Sequence, residues 1–178
     1  MKALLTSLVL GSLSGAPALA GSLCGVPEAE VLDQITGEWE GAERLALDNE
    51  VTSLISETSL AVTLRPGAYV SGLTDSLTGT PASLTAATER YDVDAVDEAL
   101  DAADHAVLAD LVSDTPCGPE DLPQFTVTLP ETPGMSASGT ITLIAYFTDR
   151  ILHLSDLTLR SDETVLFGTG SALLTPVQ

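Results

Sequence analysis

Four apolar runs occupy the C-terminal part of the chain: Phe125 to Leu129, Gly139 to Phe147, Ile151 to Arg160 and Thr164 to Leu174. The last three are joined by only a few polar residues, Thr148-Asp149-Arg150 and Ser161-Asp162-Glu163. Such links suit hairpins and cannot carry a parallel crossover, which takes about a dozen residues or more. An antiparallel β-meander is therefore predicted. Thr140-Ile141-Thr142-Leu143 alternates polar with apolar, as a strand with one buried face does. Pro133-Gly134-Met135 marks a longer rim loop over 130–138.

The N-terminal half continues in the same style. Strand-like runs fall at Arg44 to Leu47, Val51 to Ile55, Leu60 to Leu64 and Ala68 to Val70, with Leu60, Val62 and Leu64 on one face. Pro66-Gly67 supplies a turn, because proline presets the first central dihedral and glycine accepts the positive one. The stretch from Ser71 to Thr88, made largely of Gly, Ser, Thr, Pro and Ala, reads as a loop and a candidate flap over the sheet. Two helices are predicted. A short one spans Val26 to Ile35, with Pro27 in its first turn and Val31, Leu32 and Ile35 on one side. A long one spans Val93 to Val112, capped by Asp92 or Asp94, with Val93, Val96, Leu100, Ala103, Val107 and Leu111 in one stripe. The predicted fold is α+β and β-rich. It is an antiparallel sheet of six to eight strands, curled or barrel-like, carrying one long mid-chain helix and one short N-terminal helix.

Gly37-Glu38-Trp39-Glu40-Gly41 holds the chain's one tryptophan. By period two, Trp39 faces inward between two outward carboxylates, which makes it a core plug. Gly37-Glu38-Trp39 after a short helix resembles the Gly-x-Trp that opens the first strand of lipocalin-like (calycin-type) barrels. Thr148-Asp149-Arg150 is similar to that family's later Thr-Asp-Tyr turn, with arginine in place of tyrosine. The resemblance implies a closed barrel whose tryptophan packs across one end while a small apolar or amphipathic ligand enters the other. Trp39, Tyr69, Phe147 and Phe167 are then candidate wall or floor residues, chosen for type and expected inward direction. The family places its long helix near the C-terminus, whereas here it falls mid-chain.

Lys2, the apolar run Ala3 to Leu13 and the small residues ending at Ala18-Leu19-Ala20 form a secretory signal peptide over 1–20, leaving a single secreted domain over 21–178. Gly21-Ser22-Leu23 places leucine directly before Cys24, the reverse of a lipobox, so no lipid anchor is expected. No later segment holds the about 20 apolar residues of a membrane span. A periplasmic or extracellular location follows. There the only two cysteines, Cys24 and Cys117, are expected to form a disulfide. The chain carries 26 acidic residues against 6 basic ones, a net charge of −20. That charge argues against nucleic acid or anionic lipid as a partner and fits solvation in a salty habitat.

The sequence offers no catalytic residues, metal site or cofactor motif. Asp94, Asp97, Glu98, Asp101, Asp104 and His105 read as the solvated face of the long helix, with His105 one turn after Asp101. The spacing Asp92-x-Asp94-x-x-Asp97 lacks the glycine turn of a calcium loop. His153, Ser155 and Asp156 have the residue types of a nucleophile relay, but neighbours on one strand do not meet in that geometry, and His153 reads as an ordinary strand residue. Tyr69, Tyr91 and Tyr146 read as half-buried packing residues. The expected function is an exported, non-enzymatic protein that binds a small apolar or amphipathic ligand within the curled sheet. The alternative is an envelope-associated structural or protein-interaction domain with no small-molecule ligand. An enclosed apolar cavity of at least about 300 Å³ would favour the first, and a solidly filled interior would sink it.

Overall fold

The computed structural model describes residues 21–49, 53–105, 115–129, 136–160 and 164–178. The expected signal peptide, the second half of the expected long helix and the Ser161-Asp162-Glu163 link lie outside the described residues. Eight strands form one closed antiparallel barrel in sequence order. They are β1 (Gly37–Asp48), β2 (Ser53–Arg65), β3 (Ala68–Ser71), β4 (Ala82–Ala86), β5 (Gln124–Leu129), β6 (Ser136–Phe147), β7 (Arg150–Arg160) and β8 (Val165–Pro176). β8 returns to pair with β1, Trp39 opposite Pro176 and Glu43 opposite Ala172. Among the described residues the helices are α1 (Glu28–Val31), α2 (Gly72–Thr78) and α3 (Val93–Ala102), with a 3-10 turn over Pro119–Asp121. This is the barrel-like, β-rich architecture that the strand pattern predicts.

Two cores hold it together. The inner one gathers the inward residues of all eight strands, among them Trp39, Leu64, Tyr69, Phe125, Val127, Leu143, Ile151 and Leu174. Val31 and Ile35 of the α1 segment join it from below and seal that end. Trp39 Nε1 donates to the carbonyl of Ile35 at 2.8 Å, so the indole is satisfied as well as buried. Gly37 makes the entry into β1 possible, since its φ of 148° is open to glycine and strained for other residues.

The second core lies outside the barrel. Ile144, Tyr146, Leu152 and Leu154 point outward from β6 and β7 and meet Val96, Ala99 and Leu100 of α3 and Leu122. β6 and β7 are thus buried on both faces. That is why Ile144-Ala145-Tyr146 and Ile151-Leu152-His153-Leu154 read as continuous runs where Thr140 to Leu143 alternates. The Cys24–Cys117 disulfide spans 93 residues with its Cα atoms 6.0 Å apart and borders this outer core. It ties the chain ahead of α1 to the chain that follows the α3 region.

Three local expectations are corrected. α3 ends at Ala102 rather than Val112, because Asp104 takes a left-handed φ of 51° and turns the chain away; residues 106–112 lie outside the described residues. The cap is Asp92, whose carboxylate accepts from the Ala95 amide at 2.9 Å. His105 consequently leaves the acidic face and is buried against β8, with Nδ1 2.8 Å from Ser171 Oγ. Arg44 anchors the same corner, bonding the Ala103 carbonyl at 3.2 Å and the Asp104 carboxylate at 3.0 Å. Finally, the stretch from Ser71 to Thr88 is ordered into α2 and β4 rather than a loop. Ser71 and Thr74 cap α2 reciprocally, the hydroxyl of each accepting the other's backbone N–H.

Candidate functional site

The wall of the barrel is uneven. β1, β2, β6, β7 and β8 run 11 to 13 residues each, whereas β3 has four and β4 five. β3 pairs with β2 only at Val62–Arg65, the part of β2 that faces Gly37–Trp39. The wall is therefore closed all round at the Trp39 end and low on one side at the other. α2 stands on that low rim, and its Leu73 packs onto the inner core.

Register assigns the faces. In antiparallel ladders residues directly opposite share a face, so Glu43, Leu45 and Leu47 look inward with Thr58, Ser56 and Leu54 of β2 and with Ala172, Gly170 and Gly168 of β8. From β7, His153, Ser155 and Leu157 face the same space. Toward the Trp39 end such side chains are sealed: Trp39 is 3% exposed and Tyr69 1%. Toward the other end inward residues meet solvent. Leu45, Leu47, Ser56, Leu60 and Leu159 are half-buried, and Leu54 is 55% exposed. This half, the trough, is lined by these leucines with Glu43, Ser56 and Thr58 among them.

At the boundary between the halves sits a polar group of four. Tyr69 Oη lies 3.1 Å from His153 Nε2, and Ser155 Oγ donates to Glu43 Oε1 at 3.1 Å. Glu43 Oε1 is 3.8 Å from His153 Nδ1, which has no hydrogen-bond partner. Burial lowers the His153 pKa to about 4, holding the imidazole neutral, and raises that of Glu43, the Ser155 hydrogen bond opposing the second shift. The histidine–carboxylate contact is thus a neutral-imidazole approach rather than an ion pair. Gly170 makes room for it. A side chain there would overlap Ser155 Oγ and come within 3.1 Å of Glu43 Oε1. Glu43 remains 15% exposed and looks into the trough, whereas His153 is sealed beneath it.

Trp39 and Tyr69 face the barrel interior, Trp39 deep in its sealed half and Tyr69 with its hydroxyl at the boundary. Phe147 and Phe167 do not face inward. Phe147 sits past a register shift at the end of β6, packs on the outer core and carries Arg150 over its ring at 5.5 Å. Phe167 lies outward on β8, 61% exposed, because its neighbour Gly168 is the residue opposite inward Leu47 and Leu157. His153 and Ser155 do share a face, as period two requires, but their partner is Glu43 from another strand. Asp156 points outward, where it accepts from Tyr91 Oη at 2.5 Å. Glu43 lies four positions after Trp39, so period two places it on the inward face, opposite to that of Glu38 and Glu40, which is the sequence signal that could have found it.

The outer wall holds concavities of its own. One of about 430 Å³ is lined by Thr88, Arg90, Tyr91, Thr126, Thr142 and Asp156, among others. Arg90 there is engaged by Glu28 at 2.6 Å and by the carbonyls of Glu120 and Leu122. Among the described residues no helix is long and apolar enough to cross a membrane, and no cluster of His, Cys, Asp and Glu is arranged to hold a metal. Comparison of the chain with protein-family profiles, with characterised proteins and with solved structures finds no match.

Proposed function

We propose that this is an exported, non-enzymatic binding protein that holds a small amphipathic molecule in the open half of its barrel. The observation that supports this most is the incomplete burial of inward-facing leucines, Leu54 exposed and Leu45, Leu47 and Leu159 half-buried, above a floor of buried side chains. A chain in water gains by burying such side chains, so a concave leucine surface left open is stabilised by an occupant. The ligand contacts are Glu43, Leu45, Leu47, Leu54 and Leu159. Trp39 and Tyr69 support that floor from below, and Phe147 and Phe167 have no part in it. The disulfide is compatible with export to the periplasm or beyond.

Titration with the neutral dye Nile red tests the reading. Wild-type protein is expected to give saturable one-to-one emission enhancement, and Leu45→Asp is expected to abolish it. Native mass spectrometry of protein from its natural source is expected to show a non-covalent adduct. Absence of both saturable dye binding and adduct overturns the reading. The alternative of a protein-interaction domain draws on exposed Phe167 and Val165 on β8. It predicts instead that Phe167→Ser disrupts a complex while dye binding is unchanged.

A further inference from the structure

Resting on that reading, we infer that the occupant is a cationic amphiphile, a single apolar chain ending in an ammonium group, with the ammonium seated on Glu43. The charges that face the trough are of one sign. Among the described inward residues Glu43 is the one carboxylate, and no cation shares its space. Arg44 turns outward to Asp104, Arg90 is held by Glu28, and Arg150 covers Phe147. Arg65 and Arg160 occupy outward register positions, adjacent to inward Leu64 and Leu159.

A carboxyl inside an apolar barrel is costly unless something compensates it. Glu43 receives one hydrogen bond, from Ser155, and the chain places glycine at 170 to leave it room. His153 behind it offers no positive charge, because burial keeps the ring neutral. Burial favours the neutral form of Glu43, and a cation arriving from the trough, toward which Glu43 is open, stabilises the carboxylate form that pairs with it. An ammonium head donates to the carboxylate and brings the opposite charge. A hydroxyl head donates without charge, and a carboxylate head places like charge on like with no cation to screen it. The net charge of −20 favours the same sign of ligand, raising the local concentration of cations. The chain of such a molecule would lie along Leu45, Leu47, Leu54 and Leu159.

The test compares three probes of equal chain length: dodecylammonium, dodecanol and dodecanoate, each below its micelle concentration, in displacement of Nile red from the intact protein. The expected order is ammonium first, alcohol about tenfold weaker, and carboxylate weaker still. In Glu43→Gln the ammonium is expected to lose its about tenfold advantage while dodecanol binds as before. That variant changes the net charge by one, so a loss isolates Glu43 from the general field. Equal binding of all three probes by the wild type overturns the ammonium assignment and leaves the trough reading standing. An ammonium preference that survives Glu43→Gln overturns the seat at Glu43. Failure of every probe, Nile red included, overturns the trough reading itself. The ranking on wild-type protein decides the head group even if the variant does not fold.

Discussion

β1 carries Trp39 and Leu45 on the same face of the same strand, three pleats apart, yet one is 3% exposed and the other is open to the trough. The two halves of the barrel differ in what surrounds them. Around Trp39 all eight strands are present, and the α1 segment closes the end with Val31 and Ile35. Around Leu45, β3 and β4 have already stopped, so one side of the wall is missing. The lesson is that an inward-facing apolar residue belongs to a core only where the wall is whole. Elsewhere the same pattern builds a binding surface.

Substitutions can sharpen this contrast. Trp39→Ala is expected to have the largest effect, costing about 3 to 5 kcal/mol in denaturant unfolding, since it empties the sealed end and strands the Ile35 carbonyl. A cost below about 1 kcal/mol would contradict the plug. Replacing Cys24 and Cys117 together by serine comes next. It is expected to lower stability on the order of 4 kcal/mol by the chain-entropy model for a loop this long, read as a fall in the denaturant midpoint.

The boundary between the halves is probed by acid. The folded pKa of His153, about 4, lies below the ordinary 6.5, so between these values the unfolded chain binds the extra proton and stability falls as pH is lowered. The decline from pH 6.5 to 4 is expected to reach about 3 kcal/mol, because a tenfold change in proton affinity between the folded and unfolded chain corresponds to about 1.4 kcal/mol. His153→Gln should flatten that part of the profile. Burial of Glu43 raises its pKa and opposes the trend, so Glu43→Gln should steepen it. The smallest effect is expected in the open half. Leu54→Ser should change stability by about 0.5 kcal/mol or less, because the side chain is already exposed, while weakening Nile red binding severalfold. A large stability loss there would show that the trough is core after all.

Much of the architecture is legible from local pattern. The short links dictate antiparallel pairing, the alternation in Leu60-Ala61-Val62-Thr63-Leu64 marks the inner face of β2, and Trp39 between two glutamates points inward. Three features run against local pattern. The region from Ser71 to Thr88 has the composition of a loop because α2 depends on one capping pair, Ser71 with Thr74, rather than on a long amphipathic stripe. The stripe of α3 continues in the sequence beyond Ala102, but the left-handed turn at Asp104 leaves no local trace in composition. Aromatic type points Phe147 and Phe167 inward, yet register overrides it. A bulge near the end of β6 and the glycines at 168 and 170 decide their side.

What the sequence determined by itself is whatever depends on neighbours along the chain: strand runs, hairpin links, an aspartate cap at 92 or 94 and the inward direction of Trp39. The pairing of two lone cysteines also followed from their number and expected compartment. The tertiary structure alone decided which inward residues are sealed and which are open, because that depends on the heights of strands far apart in the chain. It alone brought Glu43 of β1, Tyr69 of β3 and His153 and Ser155 of β7 to one level of the barrel. The physical reason is closure. Period two tells a side chain which face it shares with its neighbours, but only the ring of eight strands turns that face into an interior and sets what stands across from it.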